Sequence, residues 1–343
     1  MRSSYSKEDV ILLLKDITGM VKPQSTEERE RLIQAGKHYC EMLPIEYVPT
    51  EKYMQVYEEA LKNYAGVVAN AIGSLADKVI SRRGRDVVLV SLARAGIPIG
   101  ILLKRYIKYK YGYDIMHYSI SIIRGKGIDD NAMRYLLERY KASQLLFVDG
   151  WIGKGAILNE LKKDLQAYEG VSSDIAVVAD PANVTQLCGT HEDILIPSSC
   201  LNSTVSGLVS RTFLRDDIIG KDDFHGAVYY GELSEKDLSY QFIEEIEKYF
   251  NKNPKEGCGI DEVKELAEKY GIADINLIKP GIGEATRVLL RRVPWKILID
   301  ERYKDNPQLE HLIRLADEKN VPVEYCTLNH YKCCGIIKKL ADA

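Results

Sequence analysis

Four short runs of β-branched and apolar residues restrict the fold of this chain more than any other feature. They lie at 87–93, 115–123, 144–150 and 174–180. Each run is too compact for an amphipathic helix and is typical of a buried parallel strand. The segments 99–109 and 156–168 between them carry apolar residues at helical spacing. This alternation predicts an α/β fold, an open parallel sheet with helices on both faces.

The segments before and after these four strands predict further structure. The 343 residues exceed one ordinary core and suit two domains. Helical spacing in Asp9–Ile17, Leu32–Tyr39 and Tyr53–Ile80 predicts a mostly helical part over residues 1–80. After a polar tract, the pattern predicts helix, strand, helix, strand, helix, strand and helix. We therefore predict a first domain at 1–250, a linker at 251–259 and a small α/β domain at 260–343.

Composition limits the partners and the compartment. The net charge of −3 provides no general attraction to nucleic acid or to an anionic membrane, so any such contact needs a local patch. No apolar run is long enough for a secretory signal or a membrane span. The seven cysteines are odd in number and form no Cys-x-x-Cys pair, which favours reduced thiols in the cytoplasm.

A glycine-rich turn follows the third predicted strand, which ends at Asp149. The turn contains Gly150, Gly153, Lys154 and Gly155, and a helix begins near Ala156. Glycines permit close approach of the backbone, and a helix N-terminus offers free amide donors to an anion. The spacing fits neither a Walker A loop nor a dinucleotide fingerprint. The segment predicts a phosphate site, with Asp149 available to sugar hydroxyls or a hydrated metal ion; the alternative is a structural turn.

Two further loops lie at the same predicted edge of the sheet. Arg94, Ala95 and Gly96 follow the first strand, and a guanidinium can fork onto phosphate. Arg124 and Lys126 lie in a glycine-containing loop after the second strand. That loop either closes over a charged substrate or is a solvated turn. Because ligands bind at the carboxyl ends of parallel strands, we expect these loops to surround one site.

A cysteine suggests different chemistry. Cys200 lies in a run of small polar residues, with His191 before it and His225 after it. A Cys–His pair is sufficient for nucleophilic catalysis if the two side chains meet. The alternatives are that Cys200 fills the core and that Ser203–Ser206 line a ligand pocket.

The C-terminal part contains a second glycine-rich turn before a helix. Gly281 and Gly283 form this turn, and Glu284 begins the helix. The basic residues near it are Lys279, Arg287, Arg291 and Arg292. They could hold RNA phosphates while Glu284 meets a base edge, or the domain could dock a protein instead.

Four residues near the C-terminus could suggest a metal site. They are Cys326, His330, Cys333 and Cys334. They lack the paired spacing of zinc ligands, so we expect core packing and no metal site.

Three segments carry a resemblance to a known family. SLARAGIPIG, FVDGWIGKGAI and IPSSCLNSTVSGLVSRT resemble phosphoribosyltransferase-like proteins fused to a pelota-type domain and encoded near bacterial tellurite-resistance and stress clusters. The stretch from Lys279 to Arg287 and the tripeptide Asn320-Val321-Pro322 resemble the kink-turn-binding superfamily that includes pelota. The implied fold is a type I phosphoribosyltransferase-like parallel sheet followed by a small α/β pelota-like domain. Gly150, Lys154 and Gly283 depart from the usual motifs.

The resemblance implies phosphoribosyl transfer from phosphoribosyl diphosphate with Mg²⁺, yielding a nucleotide- or nucleoside-like metabolite, and RNA as a partner. The implied catalytic residues are Asp149, Lys154 and Arg94. The implied phosphate-binding residues are Gly150, Gly153, Gly155, Ala156, Ala95, Gly96, Arg124 and Lys126. Two alternatives stay open. One is a non-catalytic nucleotide sensor with an RNA-binding tail. The other is a cysteine hydrolase using Cys200 and His225, since members of this family have also been labelled cysteine proteases.

Overall fold

The centre of the fold is a six-stranded parallel sheet. The computed structural model describes residues 1–153, 155–254, 263–272, 277–328 and 331–338. The strands, in spatial order, are β1 (Ile11–Leu12), β4 (His117–Ile120), β3 (Val88–Leu92), β7 (Leu145–Trp151), β8 (Ile175–Ala179) and β9 (Cys188–Thr190). Every neighbouring pair is parallel. The four predicted strands are the four central ones.

Helices cover both faces of this sheet. The helices α2 (Glu51–Arg83) and α3 (Gly96–Tyr111) pack on one face, where Val68, Leu102 and Val148 share one apolar cluster. The helices α4 (Asp130–Leu137) and α5 (Ala156–Asp164) cover the other face. The predicted α/β fold is confirmed. None of the helices within the described ranges is long and apolar enough to cross a membrane.

The N-terminal part differs from its prediction. Asp9–Ile17 is not a helix: it contains β1 and the two-residue strand β2 (Lys15–Asp16). Ile11 pairs with Tyr118 of β4, and β2 pairs with the short strand β10 (Gly226–Ala227). Pairing with distant strands satisfies this backbone and overrides the local helical pattern. The helix α1 (Thr26–Gln34) also ends five residues before the predicted limit at Tyr39.

Several short elements surround the carboxyl edge of the sheet. The strands β5 (Ile122–Ile123) and β6 (Gly127–Ile128) form an antiparallel hairpin, and α6 (Ser239–Glu247) packs beside α2 and α3. The turns at Pro197–Cys200 and Ser203–Val205 are 3-10 helices.

The C-terminal part forms a second sheet. Its elements are α7 (Val263–Lys269), β11 (Ile278–Pro280), α8 (Ile282–Arg291), β12 (Pro294–Asp300), α9 (Glu310–Glu318), β13 (Val323–Cys326) and β14 (Cys333–Ile337). The strand order is β11-β14-β12-β13. The predicted final helix is wrong over β14, which pairs with both β11 and β12. Residues 255–259 of the predicted linker lie outside the described residues.

The second sheet packs against the first part through α8 and α9. The Tyr53 hydroxyl donates to the carbonyl oxygen of Leu290 at 2.6 Å. On α9, both terminal nitrogens of Arg314 contact the Glu59 carboxylate, at 2.9 and 2.8 Å. These contacts place α8 and α9 against α2. Because a Cβ at Gly153, which follows β7, would also lie 3.8 Å from Cγ of Glu284, α8 faces the carboxyl edge of the parallel sheet and the two predicted sites meet.

Candidate active site

The loops after β3 and β7 lie against each other. Because these strands are parallel neighbours, their carboxyl ends reach the same edge. A side chain at Gly96 would collide with the backbone oxygen of Val148, so this approach requires glycine. A Cβ at Gly150 would lie 3.9 Å from the carbonyl oxygen of Ala95. The structure therefore brings these two predicted loops together.

Asp149 lies at the end of β7 in a half-buried position. Its Oδ1 accepts the amide hydrogen of Gly150 at 2.8 Å. Burial raises the pKa of Asp149 to about 6, and the amide of Gly150 and the cation of Arg287 offset part of this rise. The Asp149 carboxyl thus faces α8 of the C-terminal part.

The glycine-rich turn leads into α5 as expected. Gly155 caps the helix with φ +74°, and Ala156 is its first residue. A Cβ at Gly153 would lie 3.8 Å from Cγ of Glu284 on α8. The turn therefore faces the predicted RNA site. Lys154 lies outside the described residues.

The three predicted cations of the first part lie around this edge. Arg94 donates to the carbonyl oxygen of Val209 at 3.2 Å and to Oδ1 of Asn202 at 2.8 Å. Arg124 and Lys126 form the exposed tip of the β5–β6 hairpin. The backbone of that tip is anchored, because Arg124 N donates to the Tyr39 hydroxyl at 3.0 Å.

Cys200 and His225 have separate surroundings. Cys200 packs in the apolar cluster that contains α2, and burial raises the pKa of its thiol to about 12, although Arg291 opposes this. The His225 amide donates to Asp129, and its Nδ1 lies 2.8 Å from the Ser121 hydroxyl. Within the described part of the chain, no hydrogen bond joins Cys200 to His225. Residues Ser203–Ser206 turn inward, and Ser203 donates twice to Glu46.

A different cysteine meets a histidine at the edge of the sheet. Cys188 Sγ lies 3.2 Å from Nε2 of His191, and Nδ1 of His191 lies 2.9 Å from the carbonyl oxygen of Asp180. The nearer carboxylate oxygen of Asp180 is 3.7 Å from the same nitrogen. The parallel pairing of β8 and β9 creates this group, because Asp180 follows β8 and His191 follows β9. The Cys188-x-x-His191 spacing was the available signal, and the sequence interpretation missed Cys188.

Cys188 Sγ lies close to both ring nitrogens of His191, 3.2 Å from Nε2 and 3.6 Å from Nδ1, so proton transfer needs a small rotation of the ring. A carbonyl oxygen can only accept, so Nδ1 carries the hydrogen in the contact with Asp180. In the neutral ring, Nε2 is then free to accept the thiol proton of Cys188. The thiol itself is fully buried, and the His191 side chain is 19% exposed.

The same group could also hold a metal ion. Asp180, Cys188 and His191 each offer one ligand atom, and these atoms lie within 4.8 Å of one another. Thiolate, imidazole and carboxylate are the donors that Zn²⁺ takes, although structural zinc sites use four. The sequence analysis did not anticipate this arrangement.

A second Cys–His contact lies near the β5–β6 hairpin. His38 Nδ1 lies 2.9 Å from Cys40 Sγ and also accepts the Cys40 amide at 3.4 Å. Burial raises the pKa of the Cys40 thiol to about 11. Among the residues that the structure describes, no acidic side chain bonds to His38. This contact therefore serves as a helix cap and lacks the orienting group of the Cys188 site.

The glycine turn before α8 is already occupied by a side chain of the first part. Asp193, which is 4% exposed, accepts the amide hydrogens of Ile282 at 2.8 Å and Lys332 at 3.3 Å. A Cβ at Gly281 would lie 2.8 Å from the Asp193 carboxylate. A protein carboxylate therefore takes the first amide of α8, and the predicted use of this turn for RNA phosphate stays a prediction for the remaining amides.

Other predicted RNA-binding residues also face the first part. Arg291 donates to the carbonyl oxygens of Ser199 and Leu201, at 3.0 and 2.7 Å. A Cβ at Gly283 would contact the Ser199 hydroxyl at 3.8 Å. Arg292 is exposed.

Glu284 is the acidic centre of this face. It accepts from Arg287 at 2.9 Å, and Arg287 lies over the ring of Trp151. Although burial opposes it, the cations of Arg287 and Lys279 hold the pKa of Glu284 below its ordinary value. Glu284 is thus bound within the protein rather than free to meet a base.

The cysteines of β14 do not share one site. Cys333 packs in the cluster that contains α8, whereas Cys334 packs with Cys326 in the cluster that contains β11. Neighbouring strand residues point to opposite faces, so the two thiols cannot hold one ion together. His330 lies outside the described residues.

Comparison with known proteins gives two family matches. Residues 3–247 match the model of the tellurite-like stress resistance cysteine protease StiP, and residues 258–339 match that of the PELOTA RNA binding domain. A protein of Acinetobacter baylyi named cysteine protease StiP is 36% identical, over 98% of this chain and 94% of its own length.

A solved structure shows only a weak likeness. A hypoxanthine-guanine phosphoribosyltransferase from Bacillus anthracis is 17% identical, covers 35% of this chain and 69% of its own, and has a TM-score of 0.26. A likeness at this level carries no conclusion about fold or activity.

These matches correct the predicted function. Phosphoribosyl transfer is contradicted, and so are the transferase class and phosphoribosyl diphosphate as substrate, because both the matching family and the similar protein are named as cysteine proteases. The Mg²⁺ expected with that substrate rested on the resemblance alone and stays a prediction. The alternative of a cysteine hydrolase agrees better. With a family model over most of its length and a relative 36% identical from end to end, the chain belongs to the StiP family of tellurite-like stress resistance cysteine proteases.

Proposed function

We propose that this chain hydrolyses peptide bonds with a cysteine nucleophile, and that Cys188 and His191 are its catalytic pair. The observation that carries this proposal is the 3.2 Å contact between Cys188 Sγ and His191 Nε2, with the far side of the ring held by Asp180. The family match supplies the reaction class. Cys200 is the weaker candidate, because no histidine among the residues that the structure describes is hydrogen-bonded to its buried thiol.

The geometry supports an ordinary thiol mechanism. His191 Nε2 accepts the proton of Cys188, and the thiolate attacks the peptide carbonyl carbon. As the C–N bond breaks, the imidazolium returns its proton to the leaving amine, and a thioester remains on Cys188. Water then hydrolyses this thioester, with His191 as the base. Asp180 keeps the ring in the required tautomer.

Substrate access requires local opening. Cys188 has no exposed surface, whereas His191 reaches the rim of the sheet beside the last strand, β9. We expect a thiol reagent to label Cys188 slowly, and faster under conditions that loosen this edge of the sheet.

Substitution of the three cysteines tests the assignment. Degradation of denatured casein should be abolished by Cys188→Ala and retained by Cys200→Ala and Cys40→Ala, which are matched buried thiols. Circular dichroism should show that all three variants fold. Activity that survives Cys188→Ala would overturn the assignment. Stoichiometric zinc in the purified protein that Cys188→Ala removes would assign the group to a metal instead.

We also propose that residues 258–339 bind RNA. The family match supports this, and Lys279, Arg287 and Arg292 supply positive charge beside α8. Because Asp193 takes the Ile282 amide at the start of α8, we expect contact mainly through side chains and a strong salt dependence. Fluorescence anisotropy with a labelled RNA hairpin tests this, and the matched DNA hairpin reports contacts to the 2′-hydroxyl. If neither the RNA hairpin nor the DNA hairpin binds at low salt, the proposal is contradicted.

The two-domain division remains part of this proposal. The matched ranges 3–247 and 258–339 support a first domain at 1–250, a linker at 251–259 and a pelota-like domain at 260–343. Limited proteolysis should cleave first within 251–259 and leave two resistant fragments.

A further inference from the structure

Five arginines from separate parts of the chain lie near the carboxyl edge of the parallel sheet, where Arg94 and Arg291 both bond to the 199–202 segment. We call them the arginine cluster: Arg29, Arg94, Arg211, Arg291 and Arg292. Arg29 lies on α1, Arg94 follows β3, Arg291 ends α8, and Arg292 follows it. Arg29 lies outside every segment that the sequence analysis singled out, and Arg211 lies near the end of IPSSCLNSTVSGLVSRT without a predicted role. Only the fold brings these side chains together.

The members of the cluster influence one another directly. Burial is the main reason that the pKa of Arg211 falls to about 10, and the cations of Arg29, Arg94 and Arg292 contribute to the same decrease. Burial likewise lowers the pKa of Arg291 to about 9, with Arg287 and Arg94 contributing. Neighbouring cations depress a pKa only when they lie close and poorly screened.

The nearest carboxylates act on this charge only from a distance, Glu46 on Arg291 and Glu30 on Arg29. Within the described ranges, none of the five arginines forms an ion pair with an acidic side chain within 4 Å. Arg94 and Arg291 bond to carbonyl oxygens and an amide, and Arg211 lies over the ring of Tyr39. The Nε of Arg29 is buried without a hydrogen-bond partner. A buried donor atom is normally hydrogen-bonded, so the cluster is incomplete at Arg29 as it stands.

We infer that the arginine cluster is a binding site for the phosphoryl groups of a ligand held between the two parts of the chain. A guanidinium forks onto phosphate oxygens, and several converging guanidinium groups match the multiple charges of a phosphorylated ligand. The choice of phosphate over carboxylate rests on the proposed RNA binding, since Arg291 and Arg292 belong to the matched RNA-binding range. An RNA backbone and a small phosphorylated molecule share this chemistry.

The test measures two probes on the full chain. Inorganic tripolyphosphate is titrated by calorimetry, and a labelled RNA hairpin by anisotropy. The variants are Arg211→Gln and Arg29→Gln. The matched control is Arg139→Gln, an exposed arginine after α4 that pairs with Glu138. We expect each cluster variant to weaken tripolyphosphate binding by about tenfold or more, and the control to change it less than about twofold.

A second measurement separates binding from folding. Removing one of several repelling cations should leave the melting temperature of Arg211→Gln unchanged or higher. Tripolyphosphate should raise the melting temperature of the wild type, and raise that of Arg211→Gln much less at equal concentration. A variant that melts lower but responds to the ligand like the wild type would overturn the inference.

The outcomes distinguish this inference from the proposed RNA binding. RNA binding that depends on Lys279 and Arg287 but not on Arg29 or Arg211 would overturn the inference and leave RNA binding standing. Tripolyphosphate binding that depends on Arg211, without RNA binding, would support the inference and identify a small ligand. Tighter binding of a poly-glutamate peptide than of tripolyphosphate would also overturn it, because the site would then be one for acidic protein segments.

Discussion

Two buried aspartates, thirteen residues apart, differ in what surrounds them. Asp193 lies beneath α8, and both of its carboxylate oxygens accept backbone amide hydrogens. Asp180 lies beside Cys188 and His191, and its Oδ1 has no hydrogen-bond partner among the described residues. Burial raises the pKa of both. A raised pKa therefore does not by itself indicate an active site, because a satisfied structural carboxyl shows it as well.

Removal of Asp193 should give the largest change in stability. Asp193→Ala leaves the amides of Ile282 and Lys332 buried without an acceptor, which costs about 2–4 kcal/mol in the free energy of unfolding. Urea unfolding measures this, and Asp193→Asn, which keeps an acceptor oxygen, should lose less. If Asp193→Ala is as stable as the wild type, Asp193 does not have the structural role proposed here.

Removal of Asp180 should affect activity more than stability. Asp180→Ala keeps the carbonyl oxygen that holds His191 but loses the carboxylate 3.7 Å from the ring. Casein degradation should fall roughly tenfold, since a general base depends on its orientation. The same variant should lose less stability than Asp193→Ala, because Oδ1 of Asp180 has no hydrogen-bond partner among the described residues, whereas both oxygens of Asp193 are bonded. A large loss of stability with unchanged activity would make the two aspartates equivalent.

The pH dependence of stability tests the structural aspartate in a second way. The folded-state pKa of Asp193 is about 6, above its ordinary value of 3.8. A group raised in this way contributes stability that is full below the lower value and is lost as the pH rises through the higher one. Relative to Asp193→Asn, the wild type should therefore lose stability between about pH 4 and pH 6. Urea titrations at pH steps measure this difference, and parallel curves would contradict the raised pKa.

The central strands could be predicted because their signal is local. A parallel strand covered on both faces needs a continuous apolar run, and β3, β4, β7 and β8 each carry one. The strands β1 and β2 have two residues each, and they exist only because distant partners accept their hydrogen bonds. Periodicity in Asp9–Ile17 could not report this.

The candidate sites divide in the same way. The strand-end rule predicted that the loops at Arg94–Gly96 and Asp149 would meet, and they do. It did not predict that α8 would face them, because an amphipathic helix shows which side is buried but not what covers it. The pair Cys200 and His225 rested on residue types alone, and burial among different neighbours separates them.

Patterns within short segments were enough to predict the α/β class, the order of the central strands along the chain and the family. Only the tertiary structure shows that Cys188 contacts His191 and that Asp193 binds the first amide of α8. It also shows that, among the described residues, the arginine cluster forms no ion pair. Those outcomes depend on the approach of residues far apart in the chain, and side-chain chemistry acts only over a few ångströms.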